Sequence, residues 1–136
     1  MSWDRSLVRL STYEVEVQQK HLAEIAARRA AAERSLADML AQAEVEAERS
    51  VGDAESARLF SRYIEGVRAR KLMIEQEIHR ISLEEAGARE ALNQAFEEQK
   101  KYELVSENIQ RAKAKKQAQI EMAALDEIGL RRTAAR

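Results

Sequence analysis

From Ile64 to Tyr102 the chain places residues at alternating spacings of three and four, and no proline interrupts the row. Ile64, Val67, Lys71, Ile74, Ile78, Ile81, Glu85, Ala88, Leu92, Ala95, Gln99 and Tyr102 make it up, nine of the twelve apolar. Residues at these spacings share one face of an α-helix, whereas a strand alternates every second residue. A row held this long predicts a helix that supercoils left-handedly around a partner. The 136 residues contain no Pro and only four Gly, so little breaks a long helix anywhere.

The partner is legible upstream. Leu22, Ile25, Arg29, Ala32, Leu36, Met39 and Ala43 repeat the same spacing with one charged interruption. Between the two rows, Ser50-Val51-Gly52-Asp53 reads as the turn, with Gly52 free to take a left-handed conformation and Asp53 suited to cap the next helix. The expected fold is all-α: one antiparallel two-helix coiled-coil hairpin spanning residues 1–136. Helix one covers about 4–50, the turn about 50–54 and helix two about 54–128. Folding at Gly52 brings Ile25 near Ile81 and Met39 near Val67.

Both ends are less regular. Leu10, Tyr13 and Val17 form one stripe and Val8 and Val15 another, and Ser11-Thr12-Tyr13-Glu14 matches a capping box, so helix one starts at either Asp4 or Thr12. Downstream the row continues through Val105, Ile109, Ala112, Lys116, Ile120 and Ala123 until Gly129, which predicts a stop and a frayed basic tail over 129–136. Helix one runs out of residues opposite the last turns of helix two, so an overhanging C-terminal helix is expected. Its charge differs from the rest. Residues 110–136 hold seven basic residues against three acidic ones, while the chain as a whole carries −1.

Composition limits the chemistry. Alanine supplies 24 residues, so the seam is thin, with no thick globular core around it. Without cysteine there is no disulfide, thiolate ligand or thiol nucleophile. His21 and His79 stand apart, and Glu75 with His79 lacks the further ligands a zinc site requires. No glycine-rich phosphate loop is present, and a two-helix hairpin offers little concavity for an active site. The expectation is a protein without catalytic residues, cofactor or metal, soluble and cytoplasmic, with no long apolar span or signal-peptide core.

Two features remain as candidate binding surfaces. Lys113, Lys115, Lys116, Arg131, Arg132 and Arg136 form a basic cluster that could meet nucleic acid, serve as a solvated helix end, or dock on a protein. Phe60 and Tyr63 follow the turn, where aromatics either cap the hairpin or anchor a partner, and Met39, Leu40, Leu72 and Met73 could extend that patch.

The segments Phe60-Ser61-Arg62-Tyr63, Met73-Ile74-Glu75-Gln76 and Leu125-Asp126-Glu127-Ile128-Gly129-Leu130-Arg131-Arg132, with the hairpin break and the length, resemble the FliJ family of the bacterial flagellar type III export apparatus. The resemblance implies a non-catalytic hairpin similar to the central stalk of rotary ATPases. Such a protein occupies the pore of the export ATPase FliI ring, contacts the export gate protein FlhA and escorts export chaperones. It would sit at the cytoplasmic face of the inner membrane through those partners, with no nucleic acid and no small-molecule substrate.

Carried onto this chain, the resemblance assigns ring binding to Leu10, Tyr13, Ile109, Ala112, Lys113, Lys116, Ile120, Arg131 and Arg132. Gate binding falls to Leu36, Met39, Ala43, Tyr63 and Met73. Leu36, Met39 and Ala43 also belong to the seam, and Gly66 and Arg70 stand where the family has apolar contacts. Competing readings are a generic scaffold hairpin, including the stalk of a related secretion or rotary ATPase system, and a nucleic-acid-associated coiled coil.

Overall fold

The computed structural model describes residues 2–135. It contains two α-helices, α1 (Trp3–Arg49) and α2 (Ala54–Ala134), and no strand among the described residues. Contacts group the chain into two units, residues 17–93 and residues 1–16 with 94–136.

The unit formed by residues 17–93 is a helical hairpin closed by the expected turn. At the end of α1 the Ser50 N–H donates to the Glu46 carbonyl at 3.1 Å and its hydroxyl to the Ala47 carbonyl at 2.8 Å. Gly52 then takes φ +142°, a conformation that side chains with a Cβ avoid. Asp53 opens α2 as its cap: its carboxylate accepts the Ser56 N–H at 2.6 Å and its carbonyl the Ala57 N–H at 3.2 Å. The Ser56 N–H also holds the Asp53 carboxyl below its ordinary range.

One chemical change should act with opposite signs at two glycines. Gly52→Ala is expected to destabilise by about 1 kcal/mol, because the new Cβ strains the turn. Gly66→Ala, inside α2 with nothing within 4 Å of the added carbon, is expected to stabilise by about 0.5–1 kcal/mol. Urea denaturation of both variants checks the pair.

Burial in this unit follows the two rows. Ile25 is 1% exposed and packs in a cluster with Ile81 and Ala88, flanked by Leu22 and Ala32, so the expected Ile25–Ile81 register holds. Ala43 and Val67 are also buried, and Leu36, Met39, Ile64, Ile74 and Ile78 are half-buried. The charged interruptions are accommodated differently. Lys71 turns outward and reaches Glu75 at 3.9 Å, whereas Arg29 and Glu85 meet across the seam.

The second unit pairs the start of α1 with α2 in antiparallel fashion, since Asp4 bonds Ser106 while Thr12 bonds Gln99. Helix α1 begins at Trp3, with the Ser2 carbonyl accepting the Ser6 N–H at 3.3 Å. Ser11 and Thr12 lie inside the helix and donate back to the Val8 carbonyl at 2.8 and 2.9 Å. The capping-box match there is therefore not a helix start, because both hydroxyls are spent on the preceding turn.

Downstream, the expected stop at Gly129 is corrected, and with it the start of the expected frayed tail over 129–136, as far as Ala134. Helix α2 runs through Gly129 to Ala134, with the Thr133 hydroxyl on the Gly129 carbonyl at 2.9 Å and the Ala135 N–H on the Arg131 carbonyl at 3.0 Å. A glycine in a helix interior costs only about 1 kcal/mol, and Leu130, Arg131, Arg132 and Ala134 are good helix formers that carry the helix past it. Arg136 lies outside the described residues.

Candidate partner-binding surfaces

Within the unit that holds the chain ends, the helix–helix face is unusually polar. Asp4, Val8, Ser11 and Val15 point toward α2, with Asp4 only 2% exposed and Ser11 6%. The Ser106 hydroxyl donates to the Asp4 carboxylate at 2.8 Å, which holds that carboxyl below its ordinary range, and Ser2 adds to the effect. Arg5 donates to the Gln110 amide oxygen at 3.4 Å and Gln99 to the Thr12 hydroxyl at 3.2 Å. These bonds align the two segments, while three bulkier side chains of this part of α1, Trp3, Leu10 and Tyr13, are all exposed.

The ring-binding residues assigned from sequence all fall in this unit. Leu10 and Tyr13 border a shallow groove with Ser6 and Arg9, and Ile109 is half-buried beside Gln110. Beyond Gln110 burial ceases, and every residue from Arg111 to Ala135 is exposed. Ala112, Lys113, Lys116, Ile120, Arg131 and Arg132 therefore stand on open helix. The apolar row also pointed to only part of this surface. Met122, Leu125, Ile128 and Leu130 are 52–71% exposed with Ile120 within that range, and at 100° per residue they point around the whole helix. A search for one buried stripe passes over side chains that belong to several faces.

The gate-binding residues assigned from sequence fall in the other unit and divide by burial. Met73 is exposed and Tyr63 half-exposed, while Leu36 and Met39 are partly buried and Ala43 is buried in the seam. Leu40 and Leu72 add exposed apolar surface, as does Leu83, which the sequence reading did not single out. Near the turn, Phe60 and Tyr63 pack with ring centroids 6.2 Å apart at 42°. They line a shallow cleft of about 290 Å³ with Glu46, Arg49, Ser50, Ser56 and Leu59.

The same unit holds the ion network that crosses the seam. Arg29 donates through Nε and, at 3.4 Å, through Nη2 to the Glu85 carboxylate, which also accepts Arg89 at 3.0 Å; Arg29 further reaches Glu33 at 3.0 Å. Beside it, Arg28 grips Glu84 in a bidentate pair at 3.0 and 3.1 Å. The arginine hydrogen bonds hold both Glu84 and Glu85 below the ordinary carboxylate range and raise Arg28 and Arg29. These are interhelical fasteners. Among the described residues no cluster of three His, Asp or Glu side chains is placed to hold a metal ion, and no helix is long and apolar enough to cross a membrane.

Comparison with known proteins identifies the family of the chain. The family model described as Flagellar FliJ protein matches residues 5–136. Flagellar FliJ proteins of two Caulobacter vibrioides strains, NA1000 / CB15N and ATCC 19089 / CIP 103742 / CB 15, are each 44% identical over 132 residues, covering 97% of this chain and 95% of theirs. No solved structure matches significantly. With nearly its whole length matched by the family and by these relatives, the chain belongs to the flagellar FliJ protein family.

Proposed function

We propose that this protein is a non-catalytic component of the flagellar type III export apparatus, a stalk that couples ATP hydrolysis by the FliI ring to protein export. In this reading the overhanging part of α2 enters the pore of the ring. Leu10, Tyr13, Ile109, Ala112, Lys113, Lys116, Ile120, Arg131 and Arg132 meet its wall. The observation that carries the reading is the exposure of large apolar side chains on several faces of α2 beyond Gln110. A helix apolar on more than one side calls for surroundings on more than one side, which a pore supplies and a flat docking surface does not.

A single shaft cannot touch every subunit of a symmetric ring in the same way. Coupling follows if the shaft binds some subunit states more tightly than others, since only differential affinity shifts an equilibrium. The surface near the turn, with Tyr63, Met73 and the exposed edges of Leu36 and Met39, is the proposed contact for the export gate protein FlhA. Ala43 acts there through the seam, because it is buried. Escort of export chaperones and a place at the cytoplasmic face of the inner membrane belong to the same proposal.

Affinity capture of the two partners tests both ends. A chain ending after Gln110 keeps the described contacts of α1 with α2, since Arg5–Gln110 is the last of them. It is expected to lose the ring ATPase and retain the gate protein, while Tyr63→Ala with Met73→Ala loses the gate and retains the ATPase. Unchanged capture by either variant would sink the two-ended reading.

A further inference from the structure

The exposed segment of α2 carries its charges in blocks. Arg111, Lys113, Lys115 and Lys116 come first, Glu121, Asp126 and Glu127 follow, and Arg131 and Arg132 close it. Arg111 pairs locally with Glu107 at 2.9 Å and Arg131 with Glu127 at 3.0 Å. Lys113, Lys115, Lys116 and Asp126 have no ion pair among the described residues. Helical geometry sets Ala112, Lys116, Ile120, Ala123, Glu127 and Leu130 on one face, with Lys115 and Asp126 together along one flank of it.

This order is self-complementary in one direction only. A second copy laid antiparallel on that face, with Ile120 on the two-fold axis, sets Lys113 opposite Glu127 and brings Lys115 within one residue of register with Asp126, an offset of about 1.5 Å along the axis. The axis makes each pair twice. A parallel copy instead sets every lysine against its own counterpart, and like charges in register repel. Ala112 and Ala123 let the backbones approach around the central isoleucines.

We infer that the segment from Arg111 to Leu130 is a self-association surface, covered in solution by a second copy of this chain in antiparallel orientation. The contact is isologous, so it closes at two chains and does not propagate. Its ion pairs are solvent-exposed, so salt weakens it. Pairing uses the residues proposed above to enter the ring, and the two engagements exclude each other; the inference itself needs no ring.

Sedimentation equilibrium of the full-length chain tests it. The expected mass rises from one chain to two with increasing concentration and returns toward one at high salt. Ile120→Glu is expected to remain a single chain at every concentration, as is Lys113→Glu with Lys115→Glu. Adding Asp126→Lys and Glu127→Lys to the latter restores the dimer, with circular dichroism confirming unchanged helix content in each variant. A parent chain that stays monomeric, an Ile120→Glu variant that dimerises like the parent, or a fourfold reversal that does not recover would overturn the inference.

Discussion

Ile25→Ala is expected to lower stability by about 3 kcal/mol, more than truncation of any other single side chain in the protein. Ile25 is 1% exposed and sits among Ile81, Ala88, Leu22 and Ala32. Two of those four neighbours are alanines, which have no spare side chain to move into the space left behind. The loss therefore includes a cavity as well as the transfer of the missing carbons. For a chain of this size the melting temperature should fall by about 10 °C. Ile120→Ala, at a site 54% exposed, is the control and should change stability by no more than about 0.5 kcal/mol. Equal effects at the two sites would mean that the seam does not hold the hairpin together.

Arg29→Glu and Glu85→Arg are each expected to lower the melting temperature, and the double reversal to recover most of the loss. Each single change leaves two like charges facing each other across the seam, one of them at position 85, where the native glutamate is only 7% exposed. Recovery falls short of complete because Glu33 and Arg89 remain beside the exchanged charges. A double variant no better than the worse single one would show that the pair does not act as a unit.

The pair also predicts a pH dependence. Arg29 holds the folded-state carboxyl of Glu85 below its ordinary value of 4.5, so the folded form binds its proton less readily than the unfolded form. Its contribution is present above that value and disappears as the pH falls through the folded-state pKa. Glu84 beside Arg28, Asp4 beside Ser106 and Asp53 at the turn shift in the same direction. Stability should therefore decline below about pH 4.5, and less steeply in Glu85→Gln.

How far the fold can be read in the residues depends on which side chains mark the seam. From Leu22 to Ala43 and from Ile64 to Tyr102 the marks are mostly apolar, and of those positions Lys71 alone is exposed in the structure. At the start of α1 the row continues through Asp4, Val8, Ser11 and Val15, but two of the four are polar, and hydrophobic spacing cannot reveal them. Their burial depends on partners distant in sequence, such as Ser106 for Asp4. The conspicuous apolar stripe of the same segment, Leu10 and Tyr13, turned out to be the outward face.

Gly129 shows a different limit. A lone glycine has the same identity as a helix stop and as a tolerated interior residue, and only its conformation separates the two; Gly52 has the positive φ and Gly129 does not. The candidate surfaces were legible where they continued the seam, at Ile109, Ala112, Lys116 and Ile120. They were not legible at Met122, Leu125, Ile128 and Leu130, which are exposed and follow no single stripe.

The central claim, that the open end of α2 works inside the ATPase ring, is tested most directly by the ATP hydrolysis rate of the export ATPase. The rate is measured alone, with this protein, and with a chain ending after Gln110. The full chain should raise the rate, and the shortened chain, with its α1 contacts intact, should leave it at the level of the ATPase alone. Undiminished stimulation by the shortened chain would contradict the account, because it would place the coupling surface elsewhere on the protein.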